Sequence, residues 1–164
     1  MRKFVYFGIN AFIRTNSNTY MVTPTPPKLV LYADDDPDDI GLLEEAFKEH
    51  ATNYELKSFS NAITLLEFVH LRPKDLPPPC LIILDINMPK MNGKDALRLL
   101  RSMEVYEKIP VILFSTSTLP HYASFARSYN ALFISKPLGE KQMNNIIETF
   151  ISHCDQGVKN NQTG

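Results

Sequence analysis

The sequence has little of three things that often disclose what a protein meets: surplus charge, cysteine and long apolar runs. Seventeen Lys and Arg stand against eighteen Asp and Glu, a formal net charge of -1. No broad field therefore draws nucleic acid or an anionic membrane, and neither is expected as a partner. No apolar stretch nears the ~20 residues that a membrane-crossing helix needs. Two cysteines, Cys80 and Cys154, lie far apart. Two isolated thiols make no disulfide framework, so a reducing compartment, the cytoplasm, is the default location. Cys80 heads an apolar run and reads as a core thiol. The four histidines, His50, His70, His121 and His153, show no metal-ligand spacing and read as surface or helix-end residues.

What the chain does have is a repeating alternation, beginning at Lys28. Leu29-Val30-Leu31-Tyr32-Ala33 is an apolar run that stops at Asp34-Asp35-Asp36. Pro37 suits the first position of a helix capped by Asp36, and Ile40, Leu43 and Phe47 carry its apolar stripe to about His50. Tyr54 to Phe59 alternates like a half-exposed edge strand. Ser60 is placed as the cap of a second helix with Ala62, Leu65, Leu66 and Val69 inside. Pro77-Pro78-Pro79 leads into Cys80-Leu81-Ile82-Ile83-Leu84-Asp85, a short run that reads as a strand buried on both faces. A third helix follows Gly93, with Ala96, Leu99, Leu100 and Met103 on one face. Pro110 to Phe114 is another buried-type strand, ending in Ser115-Thr116-Ser117. Pro120 opens a helix carrying Tyr122, Phe125, Ala126 and Tyr129. Ala131 to Ile134 is the last strand, and the final helix buries Met143, Ile146, Ile147, Phe150 and Ile151.

Five strands alternating with five helices predict an α/β fold, a parallel sheet with helices on both faces. One domain is expected over 28–152, with a disordered tail at 153–164. Residues 1–27 read as a flexible arm, since Asn16 to Thr19 and Thr23 to Pro27 have tether-like composition. Arg2 and Lys3 before an apolar stretch imitate a signal peptide, but Asn10 and Arg14 interrupt it and no small-residue cleavage site follows. Met21 leaves open whether residues 1–20 belong to the cellular protein.

The ends of the buried strands carry the chemistry. They finish in Asp34-Asp35, Asp85, Ser115-Thr116 and Ser135-Lys136, all on one edge of a parallel sheet, where open α/β sheets place their ligand crevice. Each residue could be an ordinary turn or surface group, and Asp85 could merely cap a loop. Their joint arrival at successive strand ends argues otherwise. A like-charge pair at 4 Å costs about 4 kcal/mol at an effective dielectric near 20. Three gathered carboxylates need a cation, and hard oxygen donors favour Mg²⁺. A carboxylate nucleophile, a divalent ion, a lysine and a hydroxyl make a phosphoryl-transfer site.

These residues resemble the receiver domains of two-component response regulators. The match covers nearly all of 28–152 and rests on Val30 to Pro37, on Leu84-Asp85-Ile86-Asn87-Met88-Pro89-Lys90-Met91-Asn92-Gly93, on Ser115-Thr116 and on Lys136-Pro137. The opening Asp36-Pro37-Asp38-Asp39 and Ser115-Thr116-Ser117 look most like stand-alone receivers serving bacterial phytochrome kinases. The resemblance implies a flavodoxin-like strand order 2-1-3-4-5. It makes Asp85 the phosphoacceptor, Asp35 the direct Mg²⁺ ligand and Asp34 an acid acting through metal-bound water. Asn87 would lend the ion its backbone carbonyl. Ser115 sits where the family has its switch hydroxyl, Lys136 where it has the phosphate-pairing lysine, and Phe133 where an aromatic swings inward. The Lys136–Pro137 bond is expected cis, as in the family, and Asn130 is expected to adopt the left-handed geometry of the glycine usual there.

The function expected is that of a single-domain response regulator, not an enzyme beyond slow self-dephosphorylation. A sensor histidine kinase or phosphotransfer protein would supply the phosphoryl group, and a downstream protein would read the result. A homodimer stays open. No output module follows residue 152, so a protein contact or phosphate relay is the expected output. Two rivals from other classes remain. An aspartyl-phosphate hydrolase would carry a second acid two residues after the nucleophile, where this chain has Asn87. A phosphorylation-independent module that kept only the fold would not need the complete set of Asp34, Asp35, Asp85, Ser115 and Lys136.

Overall fold

A computed structural model describes residues 11–15, 18–22, 26–137 and 140–160. Strands β1 (Ala11–Thr15) and β2 (Asn18–Val22) pair antiparallel as a separate two-stranded sheet within the stretch read as an arm. The main sheet is built from β3 (Lys28–Ala33), β4 (Tyr54–Phe59), β5 (Leu81–Asp85), β6 (Val111–Ser115) and β7 (Leu132–Ser135). All its pairings are parallel and its order is β4-β3-β5-β6-β7. Counted within these five strands, that is the expected 2-1-3-4-5. Between them run α1 (Pro37–His50), α2 (Ala62–Leu71), α3 (Gly93–Ser102), α4 (Pro120–Ser128) and, last, α5 (Glu140–Asn160).

Alternation along the strands divides the core in two. Leu31, Ala33, Ile82, Leu84 and Leu113 face one side, under Ala62 and Leu65 of α2, Ala96, Leu97 and Leu100 of α3 and Ala126 of α4. Val30, Tyr32, Leu81, Ile83, Ile112 and Phe114 face the other, under Leu43 and Phe47 of α1 and Met143, Ile147 and Phe150 of α5. Both faces of the central strands are thus sealed, which is why β5 and β6 read as unbroken apolar runs. β4 lies at an edge, and its alternation survives as half-buried and exposed residues.

Local chemistry sets the boundaries. Asp36 caps α1 by accepting from the Asp38 amide at 2.9 Å, ahead of Pro37. Asn61, not the expected Ser60, caps α2, accepting from the Thr64 amide at 2.9 Å. Asn130 does adopt the left-handed backbone, with φ of 48°. The half-buried guanidinium of Arg101 holds the turn around it, donating to the carbonyls of Tyr106, Ile109, Tyr129 and Asn130. Nothing in the sequence pattern marked that arginine, because its partners are backbone atoms.

Three further expectations change. The cysteines are not isolated thiols: Cys80 and Cys154 form a disulfide, closing a sequence separation of 74. Their spacing gave no hint, because the contact is made only when α5 packs along the sheet beside the head of β5. The second correction follows from the first. α5 continues to Asn160, past the expected domain end at 152, so 153–160 of the expected tail are helical. Asp155 adds contacts there, with Lys28 at 2.7 Å and with the Tyr54 hydroxyl at 2.8 Å. Partial burial and then the Asp155 contact push the Tyr54 phenol up to about 12. Third, no described peptide bond is cis, so Lys136–Pro137 is trans, the form that X–Pro bonds favour by about 0.5–1 kcal/mol.

The disulfide and the Asp155 contacts together pin the end of α5 to the sheet's N-terminal edge, and they are unequal. An exposed ion pair contributes at most about 1 kcal/mol. Closing a loop of 74 residues stabilises by about 4 kcal/mol on chain-entropy arguments. Reduction with dithiothreitol should therefore lower the urea midpoint markedly, and Cys154→Ser should reproduce that loss with no further response to reductant. Equal midpoints for oxidised and reduced protein would show that the bond does not hold α5.

Candidate functional site

Because the five strands are parallel, their C-terminal ends share one edge, opposite the disulfide. Asp34 follows β3 and Asp85 ends β5; Ser115 ends β6, and Lys136 follows β7. Asp34, Asp85 and Ser115 are buried, while Asp35 is exposed. Backbone bonds fix these positions: the Asp34 amide donates to Phe59 O at 3.1 Å, and the Lys136 amide donates to Ser115 O at 2.9 Å.

Lys136 is the centre of the site. Its ammonium lies 2.6 Å from Asp34 Oδ2, 2.7 Å from Asp39 Oδ2 and 3.0 Å from Asp85 Oδ1. The three ammonium hydrogens thus have three carboxylate partners. Burial alone would pull the lysine down, but these acids outweigh it and hold its pKa above the ordinary lysine range. Asp85 is pushed upward, first by burial and further by Asp34, although Lys136 and the Asn87 amide partly offset this. One ammonium shared among several acids cannot fully compensate each of them.

The loop after β5 shapes the rest. The Asn87 amide donates to Asp85 Oδ2 at 2.5 Å, and the Asn87 side chain donates to Ser115 Oγ at 3.4 Å. Ser115 Oγ also accepts from the Ser117 amide at 3.3 Å. Lys90 takes a left-handed turn at φ 67°, and the Gly93 amide closes the loop on Ile86 O at 3.1 Å. Phe133 on β7 is half-buried, its ring 6.1 Å from that of Tyr122.

The donor set suits a hard divalent cation. Asp34, Asp35 and Asp85 each offer a carboxylate oxygen, all within 4.8 Å of one another. The site residues read from the sequence therefore meet at one edge, with Phe133 on the neighbouring strand. Sequence reading missed two groups. Tyr32 looked like a core aromatic, yet its buried hydroxyl donates to Asp34 Oδ2. Burial and the Asp34 charge push that phenol far above the usual range. Asp39, named in the sequence only as part of the opening Asp36-Pro37-Asp38-Asp39, stands in the first turn of α1 and is a partner of Lys136. Its place three residues after the Asp36 cap was the available signal.

The family model for the response regulator receiver domain matches residues 30–148. The chain belongs to this family. Among curated relatives, the receiver is 30% identical over 94 residues to response regulator Rcp1 of Synechocystis sp., covering 56% of this chain and 64% of that protein. The matched stretch spans just under two thirds of that relative's length. Among solved structures, the phosphorylated cyanobacterial phytochrome response regulator RcpA superposes with a TM-score of 0.67 at 24% identity, covering 77% of this chain and 95% of that one. The Mn²⁺-bound form of Rcp1 gives a TM-score of 0.65 at 24% identity, covering 75% and 91%. At these identities the two structures show a shared fold.

Gly93 leaves no room for a side chain in this receiver loop. A Cβ there would lie 2.1 Å from the backbone oxygen of Asp85 and 3.0 Å from its carbonyl carbon. Neither atom is the free end of a flexible side chain, so the loop itself must move. Gly93→Ala should cost about 2–3 kcal/mol in urea unfolding, within the range for forced overpacking. A variant as stable as the native chain would show that the loop is not held this tightly.

Proposed function

We propose that this receiver works as a response regulator in which Asp85 accepts a phosphoryl group from a phosphohistidine. The donor is a sensor histidine kinase or a phosphotransfer protein. An Asp85 carboxylate oxygen attacks phosphorus, the phosphorus–nitrogen bond breaks, and the histidine nitrogen leaves with the electron pair and takes up a proton. The observation that carries this reading is the ammonium of Lys136 lying against both Asp85 and Asp34 beside the exposed acid Asp35. That arrangement places a fixed positive charge where phosphoryl oxygens would collect.

Asp34, Asp35, Asp85 and the carbonyl of Asn87 would hold Mg²⁺. Bound there, the ion supplies positive charge that offsets the acids and the incoming oxygens. Two structural neighbours, one phosphorylated and one Mn²⁺-bound, support the same chemistry here. Lys136 then exchanges its Asp85 contact for a phosphoryl oxygen. The Ser115 hydroxyl turns to donate to another, and Phe133 repacks against α4. These moves would bias the face formed by α4, β7 and α5 between two states, which a downstream protein reads. Self-association of that face into a homodimer is compatible with the same switch. The working unit is the receiver of 28–152 together with the α5 turn that carries Cys154, without nucleic-acid or membrane partners; a cytoplasmic location loses its argument from free thiols, because Cys80 and Cys154 are bonded.

Incubation with acetyl phosphate and Mg²⁺, followed by intact-mass analysis, tests the reading. The native chain should gain one phosphoryl group, whereas Asp85→Asn and the native chain in EDTA should gain none. Labelling that persists in Asp85→Asn would move the acceptor elsewhere.

A further inference from the structure

We infer that Asp39 is a positioning residue for phosphoryl transfer, holding the Lys136 ammonium at the mouth of the site. The inference rests on the reading of Asp85 as phosphoacceptor and deepens it. Of the three acids that Lys136 touches, Asp34 and Asp85 belong to the carboxylate group suited to a cation, and Asp39 does not. A cation on Asp34 and Asp85 spends the charge that those acids offer Lys136, and a phosphoryl group on Asp85 removes the Asp85 contact. Asp39 is then the carboxylate whose charge is still directed at the ammonium, from 2.7 Å. Without it, a flexible four-carbon chain has no fixed ionic partner at the moment when it must meet the phosphoryl oxygens.

The fold presents Asp39 for this task. It lies in the first turn of α1, after the Asp36 cap and Pro37, where exposed amides and the helix dipole favour a negative charge. Its side chain is 32% exposed against 7% for Lys136, so it reaches the ammonium from the solvent side. A negative charge near an incoming phosphate also repels it, which would make its removal beneficial. Contact with Lys136 neutralises most of that charge and solvent screens the remainder, so loss of the anchor is the larger effect.

The test is the rate of Asp85 labelling by acetyl phosphate at saturating Mg²⁺ for the native chain, Asp39→Asn, Asp39→Glu, Lys136→Met and the double variant Asp39→Asn/Lys136→Met. Asp39→Asn should slow labelling on the order of tenfold, the size of coupling found between touching charged groups. Asp39→Glu should recover part of the rate, and Asp39→Asn should have no further effect once Lys136 is Met. Asp39→Ser, which keeps a residue suited to a first helical turn, should show the same loss and guards against misfolding of the Asn variant. Native-rate labelling in Asp39→Asn, or an equal slowing with and without Lys136, would overturn the inference while leaving Asp85 as acceptor. A native chain that is not labelled, or is labelled away from Asp85, would instead overturn the underlying reading and the inference with it.

Discussion

One ammonium allows three carboxylates to share a buried sheet edge. Asp34 and Asp85 are almost wholly removed from water, and Asp39 completes the set around Lys136. Unpaired, charges so placed would cost several kcal/mol each or would take up protons. The lysine can reach them because its backbone amide is tied to Ser115 O. That tie exists because β7 pairs with β6 in parallel, Ser115 opposite Ser135. Strand pairing, loop geometry and acid placement all converge on that side chain.

The opposite edge of the sheet is held by different means. There the Cys80–Cys154 bond and the contacts of Asp155 fasten α5 near the starts of β3, β4 and β5. Buried Met143, Ile147 and Phe150 continue the attachment along the same helix. The α5 face proposed to report phosphorylation thus belongs to a helix whose far end is covalently anchored. Movement on switching would be confined to the β7 end, close to Lys136 and Phe133.

Most of this architecture was legible because burial on both faces and parallel pairing leave strong marks. Apolar runs such as Leu81 to Leu84 stop abruptly at acids, and Asp36-Pro37 announces a helix start. The site was legible for the same reason: Asp34, Asp85, Ser115 and Lys136 each punctuate the end of a strand. What was not legible depends on contacts between distant segments. Cys154 meets Cys80 only through the packing of α5, Arg101 is defined by four carbonyls, and the hydroxyl of Tyr32 is hidden within an apolar run. Asp39 was visible only as one acid of the Asp36-Pro37-Asp38-Asp39 opening, and its contact requires knowing where Lys136 points. The trans Lys136–Pro137 bond was likewise beyond the pattern, since the sequence of an X–Pro pair does not select its isomer.

The account therefore stands on Lys136 as the charge that makes the acid cluster tolerable. The most direct measurement is urea unfolding of Lys136→Met and of the native chain at neutral pH, each in EDTA and in Mg²⁺. In EDTA the variant should lose about 3 kcal/mol, the lower range for stranding a buried charge partner. Mg²⁺ should stabilise the variant more than the native chain, because a cation substitutes for the missing ammonium. A variant that unfolds with the native chain in EDTA, or that gains no more from Mg²⁺, would contradict the account.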